Sequence, residues 1–140
     1  MADDFVTFSG TIPYATDEQR DYLLARLNTA STEHGCAPEG VPVCETIMDD
    51  PDRREIWIAS DIWADLDALL AVVADYQLRF NLRLETGWSF WTLTWAFTCS
   101  KPHVDSFGGG AAYVYKGKIA TMNTWEWLLE QHNKRVAEED

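Results

Sequence analysis

The sequence predicts an α+β fold, with one antiparallel sheet carrying helices on one face. Three observations predict it. Segments with apolar residues at every second position alternate with segments whose apolar residues recur every three or four. These segments follow one another as β-α-β-β-α-β, and a tight hairpin and a last helix come after them. The 140 residues, 46% hydrophobic and 13% aromatic, suit a single packed domain spanning 1–140.

The elements follow in order. Phe5–Ile12 alternates, with Val6, Phe8 and Ile12 on one face and Thr7, Ser9 and Thr11 on the other, and Pro13 ends this strand. Thr16-Asp17-Glu18-Gln19 has the capping-box form, and its early acids suit the positive end of a helix dipole. Leu23, Leu27 and Ala30, beside Tyr22 and Leu24, form the buried stripe of a helix that should stop before Gly35. Residues 35–42, with two glycines and two prolines, predict a loop. Val43–Met48 and Arg54–Ala59 read as the two strands of a hairpin, turning at Asp49-Asp50-Pro51-Asp52.

Ser60 or Asp61 is expected to cap the second helix, along which Ile62, Leu66, Leu69, Val73, Tyr76 and Phe80 step. Trp88–Thr98 supplies the next strand. This order is the split βαβ, or ferredoxin-like, arrangement, and a parallel pairing of the first and third strands is expected from right-handed crossovers. Ala111–Tyr115 and Lys118–Met122, joined at Lys116-Gly117, extend the sheet by a hairpin. Asn123 or Thr124 caps a last helix, with Leu128, Leu129, His132 and Val136 on one side.

Composition narrows the function classes. No apolar run reaches the roughly 18 residues of a membrane span, and the acidic start MADDFVTFSG lacks a signal peptide's basic and apolar regions. A cytoplasmic protein without membrane contact is therefore expected, and three cysteines, an odd number, suit reduced thiols there. The net charge of −12, from 23 acids and 11 bases, repels phosphates and argues against direct nucleic-acid binding. It favours a basic protein partner instead.

Candidate chemistry is sparse, and neither an enzyme nor a cofactor is expected. In Trp88–Thr98, Trp91, Leu93, Trp95 and Phe97 share one face and Phe90, Thr92, Thr94, Ala96 and Thr98 the other. An aromatic face beneath helices is the simpler reading than a base-stacking platform, because no Lys or Arg is interleaved. Gly108-Gly109-Gly110 lacks a Walker lysine and precedes a strand, so close packing is expected there rather than phosphate binding. His34, Cys36, Cys44, Cys99 and His103 could in principle ligate zinc, but the spacings H-x-C, C-x7-C and C-x3-H match no strong zinc pattern. A Cys99–His103 nucleophile pair has no positioned base visible in the sequence.

What exceeds the ordinary is the acidity of the first third. Asp3, Asp4, Asp17, Glu18, Asp21, Glu39, Glu45, Asp49, Asp50 and Asp52 lie there, against only Arg20 and Arg26 before Arg53. Such a surface serves solubility or occupies a groove that normally holds nucleic-acid backbone. The candidate partner-binding residues are Asp49, Asp50 and Asp52 on the hairpin tip with Asp17, Glu18 and Asp21 on the first helix.

Trp95, Ala96, Thr98, Cys99, Ser100, Lys101 and Pro102, followed by Phe107 to Ala111, form a TCSKP…FGGGA pattern. With the opening FVTFSGTI, this resembles a family of small acidic proteins of phages, plasmids and integrated elements of bacteria. His103 stands where that family more often has arginine. The resemblance brings no catalytic residues; it implies an accessory gene of a mobile element, many of which counter host defences. The expectation is therefore a non-enzymatic inhibitor of a bacterial defence complex, of anti-CRISPR type, acting as a DNA mimic on a basic, nucleic-acid-handling surface. The alternative is a small-ligand or nucleotide-signal binder with a pocket near Trp88–Trp95 and Gly108–Gly110, with a homodimer as a further expectation.

Overall fold

The computed structural model describes residues 4–33, 43–80, 90–99 and 107–139. Among them, one six-stranded sheet is built from β1 (Asp4–Pro13), β2 (Thr46–Asp50), β3 (Glu55–Ser60), β4 (Phe90–Cys99), β5 (Gly108–Tyr115) and β6 (Lys118–Asn123). The helices are α1 (Asp17–Glu33), α2 (Leu66–Phe80) and α3 (Thr124–Glu139). The strand order is β2-β3-β1-β4-β5-β6, and every neighbouring pair runs antiparallel. The expected loop at 35–42 and the expected strand start at Trp88 lie outside the described residues.

The predicted parallel pairing of the first and third strands is corrected: β1 and β3 are antiparallel, with Gly10 opposite Ile58. The α1 crossover joins β1 to β2, so those two strands point the same way. The β2–β3 hairpin then reverses the chain, and β3 inserts between them.

The hairpin strands are also shifted from their predicted bounds. Val43 is buried, but its carbonyl accepts a hydrogen bond from the Asp65 amide instead of joining the ladder. Pairing starts at Thr46 opposite Ala59 and runs to Asp50 opposite Glu55. Arg54 closes the turn in the left-handed region at φ 55°, unusual for a residue with a side chain.

α1 starts as the capping box predicts. Thr16 Oγ1 accepts from the Gln19 amide (3.2 Å), and Gln19 Oε1 accepts from the Ala15 amide (2.7 Å), one residue before the cap. α2 does not start at Ser60 or Asp61. Its cap is Asp65, whose Oδ1 accepts from the Ala68 amide at 3.1 Å. The amides of Asp61, Ile62 and Trp63 converge instead on one carboxylate oxygen of Glu45, at 3.0, 2.6 and 2.9 Å. That oxygen satisfies a backbone bend which helical hydrogen bonds would otherwise have covered. The bonds hold the Glu45 carboxyl below its usual range.

The core lies between the sheet and α1 and α2. Leu23 and Leu27 from α1, Leu69, Val72, Val73 and Tyr76 from α2, and Ile12, Ile56, Ile58 and Val114 from the sheet are fully buried. Tyr22, Tyr76 and Phe80 pack ring against ring between the two helices, and Arg26 pairs with Asp75 at 3.0 Å. Gln77, buried, ties α2 to the last hairpin: its Nε2 donates to the Val114 carbonyl and its Oε1 accepts from the Gly117 amide. Lys116 and Gly117 both take positive φ, 49° and 79°, the conformation that a two-residue hairpin turn requires.

On β4 the predicted alternation holds. Trp91 and Leu93 are buried and Trp95 and Phe97 partly so, while Thr92, Thr94 and Ala96 are exposed. α3 is capped by Asn123, whose Oδ1 accepts from the Glu126 amide at 2.8 Å. None of its residues is buried, so the apolar side predicted for it faces outward, with Leu128 and Leu129 more than half exposed.

Candidate functional site

The six acids singled out in the sequence come from two separate elements, and Tyr14 draws those elements together. Pro13 ends β1, and Tyr14 folds back over the hairpin. Its amide donates to the Arg54 carbonyl (3.0 Å) and its hydroxyl to Asp49 Oδ1 (2.5 Å). The ring is 1% exposed, and burial, together with the Asp49 carboxylate beside it, pushes the phenol above its usual range. Tyr14 thus fixes the hairpin tip against the first turn of α1, which brings Asp17 within 4.0 Å of Arg54.

The six are not equivalent. Asp49 is turned inward and spends its charge on Tyr14. Asp50 accepts from the Arg53 amide at 3.2 Å and shapes the turn. Asp17 and Asp21 share Arg20, at 3.4 and 3.0 Å. Glu18 and Asp52 carry no ion pair among the described residues and are exposed. Three arginines, Arg20, Arg53 and Arg54, are interleaved with these acids, so the patch is less negative than the sequence suggests.

Sequence reasoning missed Tyr14 and what lies beside the tip. Ile56 and Ile58 face the core, so Trp57 between them faces the open side of the sheet, opposite Met48 and Thr11. Its indole N–H donates to Ser9 Oγ at 2.8 Å, which locks the ring in place while it stays 39% exposed. Trp57 and Met48 line a groove of about 390 Å³ whose rim carries Asp50, Arg53 and Glu55. The period-two pattern of residues 55–60 held this signal, since the residue between two core isoleucines must point outward.

The glycine run is packed rather than open. A Cβ on Gly110 would meet the Trp95 ring at 2.5 Å, and one on Gly108 would meet Trp125 at 2.9 Å. The register sets Trp95 opposite Gly110 and Phe97 opposite Gly108, so the tryptophan covers bare backbone on the neighbouring strand. Trp125 stacks on Phe97 at 5.6 Å and anchors the first turn of α3 there.

Of the cysteine and histidine set, His34, Cys36 and His103, like the Cys99 side chain, lie outside what is described. Cys44 is 3% exposed, and burial pushes its thiol up to about 12. Among the described residues no group of three His, Cys, Asp or Glu side chains could hold a metal ion. No described helix is long and apolar enough to cross a membrane.

No family model, curated protein or solved structure matches the chain. Its own geometry is therefore what bears on function.

Proposed function

We propose that the chain is a non-enzymatic inhibitor which docks the Tyr14 end of its sheet onto a basic, nucleic-acid-handling surface of a bacterial defence complex. The reading takes the protein as a mobile-element product of anti-CRISPR type, on a ferredoxin-like half extended by a hairpin and helix. The observation that supports it best is the meeting of two acidic segments around Tyr14 beside an exposed, immobilised tryptophan. Aromatic anchors ringed by charge are the usual energetic centres of protein interfaces, and unpaired rim acids speed association with a basic partner. Glu18 and Asp52 would provide steering, Trp57 and Met48 the buried contact. The test is binding to purified CRISPR effector complexes at increasing salt. Affinity should fall steeply with salt, the effector's nucleic acid should compete, and Glu18→Lys with Asp52→Lys should weaken binding more than tenfold, about 1.4 kcal/mol. Binding indifferent to both substitutions would overturn the proposal.

The alternative reading, a small-ligand binder, draws support from a different place than the glycine run. A cavity of about 390 Å³ opens beside Trp95 and Phe97. That volume lies within the range of small-molecule sites.

Self-association is proposed through α3. Trp127, Leu128, Leu129 and Val136 on the helix and Ile119 and Met122 on edge strand β6 are each 45–60% exposed. Leu129 and Val136, seven residues apart, lie on one stripe of α3 and leave it apolar. A second copy is the occupant these features fit. Light scattering should give a dimer that Leu129→Glu with Val136→Glu converts to a monomer; a wild-type monomer would contradict it.

A further inference from the structure

The cavity beside Trp95 has a chemistry of its own. Three acidic residues line it, Asp65 and Asp67 at the start of α2 and Glu126 in the first turn of α3. Its described lining contains no Lys, Arg or His. Trp95, Phe97 and Leu70 contribute apolar surface. Two of the lining residues carry a buried polar atom without a hydrogen-bond partner among the described residues, Asp65 Oδ2 and Trp95 Nε1. Asp65 is 4% exposed, and only its other oxygen is used, for the α2 cap.

Leaving such atoms unpaired in a buried position is unfavourable, more so for a charge. The two deficits are opposite in kind: the carboxylate oxygen needs a donor, the indole N–H an acceptor. A phosphate would meet three acidic residues, so a nucleotide fits poorly. An ammonium or guanidinium group satisfies the acid, and aromatic faces attract it further.

We propose that this cavity binds an organic cation, an ammonium or guanidinium group donating to Asp65, which carries a carbonyl or hydroxyl oxygen for the Trp95 indole N–H. A free small molecule or an arginine side chain of a protein, with its own backbone carbonyl, offers that chemistry. The inference rests on the ligand-binding reading and not on the acidic cluster. Val6 lines the cavity, and Pro13, next to the Tyr14 that holds the cluster, lies seven residues further along β1, roughly 23 Å away.

The test titrates the full chain with N-acetyl-argininamide, agmatine, N-acetyl-citrullinamide and a cyclic dinucleotide. Calorimetry and the indole N–H resonances are read, with Trp95 assigned through Trp95→Phe. Argininamide should bind and shift the Trp95 N–H. Citrullinamide, equal in shape but uncharged, and agmatine, which lacks the carbonyl, should each bind at least roughly tenfold more weakly, the 1.4 kcal/mol of one good hydrogen bond. Asp65→Asn keeps an amide oxygen for the helix cap, so it should fold normally and lose binding. Asp67→Asn, outside the cap, should weaken binding in the same direction. Tighter binding of Gly-Arg-Gly than of argininamide assigns the site to a protein side chain, and equal binding to a free ligand. Citrullinamide binding as well as argininamide, or Asp65→Asn binding unchanged, overturns the cation. Binding of the dinucleotide alone keeps the ligand reading and removes the cation, and no binding by any probe removes both.

Discussion

Substituting Gly110 tests whether the glycine run is a packing device. A Cβ there would lie 2.5 and 2.6 Å from two atoms of the Trp95 ring and 2.7 Å from the Met122 carbonyl oxygen. All three approaches are far inside ordinary van der Waals contact, and the obstacles are a rigid ring and a backbone oxygen. Overpacking of this kind costs roughly 1–3 kcal/mol. The loss of unfolded-state freedom on replacing glycine by alanine returns about 0.4–1 kcal/mol. Gly110→Ala should therefore destabilise by about 1–2 kcal/mol, a fall in Tm of roughly 3–8 °C for a chain this long. The control is Gly10→Ala, where a Cβ meets only the Leu93 Cδ1 methyl, at 3.0 Å, and a side-chain rotation relieves it. It should be near neutral. Urea unfolding followed by tryptophan fluorescence measures both. In a Trp95→Leu background part of the Gly110→Ala cost should disappear, because the ring is one of its two causes. A Gly110→Ala protein as stable as wild type, or a cost unchanged by Trp95→Leu, would refute the packing account.

Further outcomes follow from other contacts. Glu45→Gln should lower stability by about 1 kcal/mol near neutral pH, since one exposed carboxylate oxygen serves three amides. The Glu45 carboxyl sits below its ordinary value when folded, so its charge stabilises above the unfolded pKa of about 4.3 and that contribution is lost as pH falls through the folded value. Wild type and Glu45→Gln should therefore converge in acid, read by urea midpoints against pH. Gln77→Ala should cost about 1–3 kcal/mol in the same assay, by stranding the Val114 carbonyl and the Gly117 amide. In a Cys36→Ser, Cys99→Ser background Cys44, its thiol pushed up to about 12, should resist a disulfide reagent at pH 8 until the chain unfolds.

Legibility in the sequence tracked how local the cause was. The α1 capping box, the β4 alternation and the Lys116-Gly117 turn depend on neighbours within four residues, and each stands where the pattern places it. The α2 start was misplaced because Glu45, some sixteen residues earlier, claims the amides of 61–63, and no periodicity reports a long-range carboxylate. The strand direction failed for a related reason: which strand inserts between two others is a property of the whole sheet. The acids of the candidate site were legible as composition. Their arrangement was not, because Tyr14 and Arg54 join two segments more than thirty residues apart, and the left-handed Arg54 carries no glycine or asparagine signal. Trp57 was legible in principle, as the outward residue between two core isoleucines.

The most direct test of the central claim is the affinity of the chain for a purified, nucleic-acid-free CRISPR effector complex. It is compared with that of a variant carrying Glu18→Lys, Asp52→Lys and Trp57→Ala, which leaves the Tyr14–Asp49 contact intact. Trp57→Ala alone is expected to cost about 2 kcal/mol or more if the ring is an interface centre. The account predicts tight, salt-sensitive binding that DNA displaces, weakened at least a hundredfold in a variant that unfolds at the wild-type midpoint. Binding by the folded variant as tight as that of wild type, or no binding of wild type to any effector complex, would contradict it.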